Sequence, residues 1–382
     1  MKTIFVQEMV PSYRIPFFTG LAAAPGIDLT VISGDVRGNE GFGVVSPAQC
    51  DFRWITLPLR IVGRRGARLV LIDSLLSTIR AERPDVVITT GGKSFVQNHA
   101  LIAARRLQRF RLYSFQHATE YCTAIRLRRT FEWLLFRWWL YPNCDGVILY
   151  TENERRALVA RGLDPRRLFY ANNTIDTAEI TQVQRQLSRT GIDAVLGDLG
   201  IDRRPSIVYI GRLVAGKGVE ALLPLFEAVR LRVPEAQLIV IGDGPLGPAL
   251  RRETAGSKRV VIAGPIYDER RIACIMSVCR FVFIPDYAGL GVNHAFAYGK
   301  PFVTFASPRH GPEISYLVPG ENGLELDRGQ TAANTDQMVR LLTDDVSWGE
   351  MSAAAQRTAE RLPMSAMVAN VARAIQPAVG PA

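Results

Sequence analysis

Residues 281–299 read FVFIPDYAGLGVNHAFAYG. An apolar run ends at an acidic residue, a glycine loop follows, and a helical pattern opens directly behind it. A strand, a tight loop and a helix in that order form the unit of an open parallel α/β sheet. Working outward, the same alternation fills the second half of the chain. SIVYIGR (206–212), AQLIVIGDG (236–244), RVVIAGP (259–265) and PFVTFA (301–306) read as strands. VEALLPLFEAVRL (219–231), PLGPALRRET (245–254) and DERRIACIMSV (268–278) read as the helices between them. The strands are continuously apolar, as strands covered on both faces are.

The first half repeats the pattern with TIFVQ (3–7), DLTVIS (28–33), DVVITT (85–90), FRLYSF (110–115) and DGVILY (145–150). ARLVLIDSLLSTIRAE (67–82) and NHALIAARRLQ (98–108) carry helical spacing. Residues 177–204 are polar and contain no strand, so the boundary between two domains is expected there. A length of 382 residues agrees, since one core rarely serves so many. The expected division is an N-terminal domain over 1–185, a C-terminal domain over 200–360, and a last helix within 361–382 packing back toward the first.

Lys and Arg number 46 against 36 Asp and Glu, a formal charge of +10. Such an excess suits phosphates, nucleic acid or an anionic membrane. No zinc-finger spacing, RNP signature or basic heptad helix accompanies it, so no nucleic-acid partner is expected. The cysteines at 50, 122, 144, 274 and 279 form no C-x-x-C pair. That argues against a disulfide framework or structural zinc and for a reducing, cytoplasmic setting. The N-terminus lacks the apolar length of a signal peptide, and no run reaches the roughly 18–20 apolar residues that span a bilayer.

Ligands of open α/β sheets sit at the carboxyl ends of the strands. In the second half those ends carry Gly211-Arg212 with Gly216-Lys217-Gly218, then Gly242-Asp243-Gly244, Gly264-Pro265-Ile266, and Asp286 with Gly289-Leu290-Gly291. Glycine after a strand is ordinary turn chemistry taken singly. Four together, two of them opening helices and two cations among them, describe a cradle for phosphate.

GRLVAGKG, VIGDGP, VIAGPI and DYAGLGVNHAFAYGKP, followed by GPEISYLVPGENGL, resemble the retaining nucleotide-sugar glycosyltransferases of the GT-B fold, group-1 class. The likeness is specific over 206–330 and looser before it. It implies two Rossmann-like parallel-sheet domains facing each other across a cleft. It implies a nucleotide-sugar donor in the second domain, a saccharide or lipid-linked acceptor in the first, transfer of a hexose, and no metal or other cofactor. Within its E-x7-E motif the first acid meets the transferred sugar and the second the nucleotide ribose. The corresponding residues here are Asp286 and His294. Carried over, Arg212 and Lys217 neutralise the leaving diphosphate, His117 and Asp286 face the sugar, and Gly211, Gly244, Pro265, Ile266, Gly289, Leu290 and His294 line the donor. A sugar-nucleotide epimerase or a non-catalytic binding protein would share most of these features.

Three further stretches stand outside that motif. PSYRIPFFTGL (11–21) replaces the usual glycine-rich first loop, with Arg14 a candidate for a phosphate or else a surface arginine at a helix start. YANNTID (170–176) places Asn173 and Asp176 at the expected connection between domains. IRLRRTFEWLLFRWWLYP (125–142) combines arginines with Trp133, Phe136, Trp138 and Trp139, and RIVGRRGAR (60–68) adds charge. A basic aromatic helix of this kind suits an anionic membrane surface, and equally an ordinary amphipathic helix. With a lipid-linked acceptor, assembly of a bacterial surface polysaccharide or glycolipid is the expected setting.

Overall fold

The computed structural model describes residues 1–35, 47–62, 69–90, 97–118 and 133–376. The chain divides into one unit of Met1–Asn173 with Met364–Ala382, and a second of Thr174–Pro363.

The first unit is built on β1 (Lys2–Gln7), β2 (Asp28–Asp35), β3 (Arg53–Val62), β4 (Leu69–Ile72), β5 (Val86–Thr90), β6 (Arg111–Gln116), β7 (Gly146–Leu149) and β8 (Leu168–Tyr170). They lie in the order β4-β3-β2-β1-β5-β6-β7-β8, parallel except where β3 meets β4. Alternation along β1 shows how both faces are covered. Phe5 packs on one side with Phe17, Phe18 and Phe115, while Ile4 and Val6 enter a separate core on the other side. The helix Met364–Ile375 presents Met367, Val371 and Ile375, spaced four apart and fully buried, to the Phe5 face. It lies against the helix Ile15–Ala22. A Cβ at Gly20 would come within 2.8 Å of Val368, so glycine is what lets these two helices touch.

The second unit carries β9 (Ser206–Ile210), β10 (Gln237–Ile241), β11 (Val260–Gly264), β12 (Cys279–Phe283), β13 (Phe302–Phe305) and β14 (Gly323–Leu326). All are parallel, in the order β11-β10-β9-β12-β13-β14. The chain steps outward from β9 to β11, then returns to the far side of β9 as β12. The connections that follow β9 and β12 therefore run on to opposite faces of the sheet, and doubly wound sheets bind their ligands at such a switch.

Three expectations change. The first domain was expected to run to 185, but the division falls at 173/174. Asp176 caps the helix Thr177–Gln186 by accepting from the Ala178 and Glu179 amides, and Ile180 of that helix is buried in the second core. Residues 67–82, read as one helix, hold a strand (β4) and then the helix Leu75–Glu82. A four-residue aliphatic run satisfies both periodicities, and pairing with β3 decides between them. β3 itself, RWITLPLRIV, was missed because Arg53, Pro58 and Arg60 break its apolar run.

Cys144, Cys274 and Cys279 are buried and unpaired. Burial pushes the Cys144 and Cys279 thiols up to about 12, so neither supplies a thiolate. Cys122 and residues 63–68 lie outside the described residues. No helix among the described residues is long and apolar enough to cross a membrane.

Candidate active site

The loops after β9 and β10 are stitched together backbone to backbone. The Leu213 amide donates to Asp243 O at 2.9 Å, and the Leu246 amide donates to Leu213 O at 3.0 Å. A Cβ on Gly242 (φ +143°) would stand 1.9 Å from Gly211 O, a separation no side chain tolerates. A Cβ on Gly244 would stand 2.5 Å from Leu213 O. The Tyr209 hydroxyl donates to Arg212 O at 2.7 Å and fixes the turn from beneath. Arg212 is thereby left exposed, and among the described residues its side chain makes no ion pair. Beyond β11, Gly264 turns at φ +75°, Pro265 is exposed, and Ile266 rests half-buried on the second core.

The loops after β9 and β12 meet at the switch. The Asp286 amide donates to Lys217 O at 3.2 Å, and Gly218, in the left-handed region, sits where a Cβ would lie 2.9 Å from Pro285. Lys217 is half-buried. Its Nζ donates to Tyr287 O at 2.5 Å and lies 5.5 Å from the Tyr287 ring centre. Burial pulls the Lys217 pKa below the usual lysine value, with Glu313 opposing it.

Asp286 was expected to offer its carboxylate to a sugar. It is fully buried, and its oxygens are occupied. Oδ1 accepts from the Tyr287 amide at 2.8 Å, and Oδ2 accepts from Arg328 at 2.7 Å and from Arg309. Both arginines, from the loops after β13 and β14, are about half exposed, so they bring positive charge to the end of β12 where a free acid was expected. Nothing in 307–310 (SPRH) or 326–329 (LDRG) marked them beforehand. Gly289 and Leu290 lie in the half-buried turn that opens the helix Gly291–Ala297. Their carbonyls accept from the Val292 and His294 amides at 3.0 Å each. His310 buttresses the loop by accepting from the Ala288 amide at 3.0 Å. Burial lowers the His310 pKa, which keeps the imidazole neutral for that task.

His294, one turn into the helix, faces a carboxylate. Its Nε2 lies 3.0 Å from Glu269 Oε1, on the first turn of the helix Glu269–Met276, and the Tyr298 hydroxyl donates to the same oxygen at 2.5 Å. Burial alone would raise the Glu269 carboxyl. The hydrogen bond and charge of His294 and the Tyr298 hydroxyl outweigh burial and hold the group below its usual range. A carboxylate is thus present beside position 294, delivered by a neighbouring helix that the sequence motif does not include.

In the first unit, His117 follows β6 and is exposed, its ring edge-on to Tyr150 at 5.9 Å. Arg14 is no surface arginine. It is 5% exposed and walled by Tyr13, Phe17, Phe115 and Tyr150, with ring centres 5.3–5.9 Å from the guanidinium carbon. Asn173 is buried, its amide donating to Tyr150 O at 2.7 Å. Of the basic aromatic helix, 133–142 are described and 125–132, with Arg126, Arg128 and Arg129, are not. Phe136 is buried, whereas Leu134, Trp138 and Trp139 stand exposed beside Arg137, which stacks 5.5 Å from Trp138.

Residues 19–179 match the model described as Glycosyltransferase Family 4, and residues 204–344 match that of Glycosyl transferases group 1. Among curated relatives, the alpha-D-kanosaminyltransferase of Streptomyces kanamyceticus is 29% identical over 153 residues, covering 38% of each chain. The GDP-mannose-dependent alpha-(1-6)-phosphatidylinositol monomannoside mannosyltransferase of Mycolicibacterium smegmatis is 29% identical over 157 residues, 38% of this chain and 40% of that one. The matches thus span about two fifths of those relatives. Among solved structures, Anabaena Alr3699/HepE in complex with UDP and glucose superposes over 98% of both chains with a TM-score of 0.70 at 16% identity. Two parallel-sheet α/β units and this whole-length likeness establish the GT-B fold. By sequence, two segments of the chain are similar to glycosyltransferase families, and by fold the chain is GT-B.

Proposed function

We propose that this chain is a retaining glycosyltransferase. It takes a hexose-type sugar from a nucleotide-sugar donor held at the switch of the second sheet and passes it to a saccharide or lipid-linked acceptor. The observation that carries this reading is the pair of stitched strand-end loops, whose glycines admit a ligand close to the backbone while Arg212 and Lys217 stand beside them. Cations placed where a diphosphate gains charge on leaving lower the barrier most effectively, and they do so without a metal. Arg309 and Arg328 extend the same positive field. Glu269, oriented by His294 and Tyr298, supplies the acid expected to meet ribose hydroxyls. The named relatives support the reading, since they transfer sugars, and the UDP and glucose complex supports a donor of this chemistry. Their nucleotides differ, so the base is left open here.

The exposed Trp138, Trp139 and Leu134 beside Arg137 favour a peripheral position on an anionic membrane, on its cytoplasmic face. This is the setting in which a lipid-linked acceptor for a surface polysaccharide or glycolipid is met. A thermal-shift panel of UDP-, GDP-, ADP- and dTDP-sugars tests the donor. A ligand at about 100 times its Kd adds about 2.7 kcal/mol, a readily measured rise in Tm. Product anomeric configuration, read by NMR, tests retention. Interconversion of the donor sugar without any acceptor would instead mark an epimerase, and binding without turnover a non-catalytic receptor.

A further inference from the structure

Arg14 is a charged side chain buried to 95%, and among the described residues no opposite charge meets it. An arginine guanidinium is a planar cation with five N–H donors. Four aromatic rings line its faces, and its one side-chain hydrogen bond among the described residues runs from Nη1 to Met367 Sδ at 4.0 Å. No carboxylate among the described residues pairs with it. None of its nitrogens is both sealed from solvent and unpartnered, so the unused donors still reach solvent. Buried ions are ordinarily paired, and ring faces compensate a cation only in part. An arginine kept in this state is poised for an anion that arrives from outside.

Its place in the fold agrees. Arg14 lies in the segment after β1, His117 follows β6 and Tyr150 follows β7, so all three stand at carboxyl ends of the first sheet. Tyr150 touches both others, 5.5 Å from the Arg14 guanidinium and 5.9 Å from the His117 ring. Tyr13, 40% exposed, adds an accessible ring on the same arginine. β1 and β5 flank the point where this sheet reverses its strand order.

We infer that Arg14, with Tyr13, Tyr150 and His117, forms an oxyanion site in the first unit that receives a phosphate or carboxylate carried by a saccharide. The guanidinium fork takes two oxygens at once, and the exposed rings offer a flat apolar surface to the sugar ring. On the reading that the first unit holds the acceptor, that acceptor is an acidic or phosphorylated sugar.

Titration calorimetry on the full chain tests this with glucose 6-phosphate, glucuronate and glucose as probes. The wild type is expected to bind one acidic sugar at least about 10-fold tighter than glucose. Preference for the phosphate or for the uronate identifies which oxyanion is received. Arg14→Met should abolish that preference while melting at or above the wild-type temperature, because an unpaired buried charge has been replaced by apolar volume. Arg14→Lys keeps the charge but loses the fork, and should bind weakly while folding normally. Arg212→Ala, in the other unit, should keep the preference while losing nucleoside diphosphate. Equal binding of all three sugars by wild type, no binding of either acid, or a preference that survives in Arg14→Met overturns the inference. Failure of UDP, GDP, ADP and dTDP to bind, with the acidic-sugar preference intact, overturns the donor reading instead.

Discussion

His294 and Glu269 meet at 3.0 Å between Nε2 and Oε1, and Tyr298 closes on the same oxygen. A substitution at 294 is therefore felt first by Glu269. His294→Glu, which would restore the acid usual in the resembled motif, sets two carboxylates against each other. It should cost about 1–3 kcal/mol at neutral pH, more than His294→Ala. The deficit should shrink near pH 4 as one carboxyl protonates. Melting curves of the three proteins at pH 7 and pH 4 check both statements.

The same pair sets an acid dependence. The Glu269 pKa is lowered in the folded chain, so its stabilising contribution is complete above the unfolded value near 4.5 and fades as pH falls through the lower folded value. Glu269→Gln removes that contribution. The wild-type advantage in Tm over the variant should hold from pH 7 to about 5 and vanish below the folded pKa.

Arg212→Ala and Lys217→Ala should each lower kcat/KM by about 100-fold or more, the scale of one lost charge contact to a leaving diphosphate. Their stabilities should part company with their activities. Arg212 is exposed and makes no ion pair among the described residues, and burial works against the charge on Lys217. Lys217→Met should therefore melt within about 1 kcal/mol of wild type while turning over poorly. Wild-type turnover by either alanine variant removes the clamp assignment.

Gly242→Ala forces a Cβ to 1.9 Å from Gly211 O at a backbone angle that disfavours side chains. It should cost at least about 2 kcal/mol and abolish nucleotide binding with it. Gly349→Ala, on the helix Asp345–Glu360 and outside these loops, meets nothing within 4 Å and should lower neither. Denaturant midpoints and nucleotide titrations of the two variants give the comparison.

Trp138 and Trp139 together should drive binding to anionic liposomes at low salt, with Arg137 contributing charge. Replacing both with alanine should lower partition by about 10-fold or more, and raising salt should weaken what remains. Sedimentation with vesicles of matched neutral and anionic composition reads this directly. Indifference of the wild type to anionic vesicles would point to an acceptor met in solution.

The doubly wound second sheet was legible because its strands are buried on both faces and announce themselves as short apolar runs ending in glycine. Gly211, Gly242 and Gly244 could be placed for the same reason, since a strand end that admits only glycine leaves that mark in one residue. Side-chain partnerships left no comparable mark. Nothing in DERRIACIM told which of its acids would reach His294, because that contact joins residues 25 positions apart on two helices. Arg309 and Arg328 reach Asp286 across 23 and 42 residues, from loops whose composition is that of any polar connection. Arg14 was visible as a cation, but two of its aromatic walls, Phe115 and Tyr150, come from strands and loops far along the chain. β4 was lost to helix because four aliphatic residues carry too little period to choose between them.

The helix Met364–Ile375 belongs to the core of the first unit although the whole second unit precedes it in the chain. During vectorial synthesis the usual order is therefore reversed. The second unit, 174–363, is continuous and has all its core residues once residue 363 has emerged. The first must wait with Phe5, Phe17 and Phe18 uncovered until Met367, Val371 and Ile375 leave the ribosome. A fragment stopped at 173 lacks the helix that covers that aromatic face, whereas one spanning 174–363 holds a complete core.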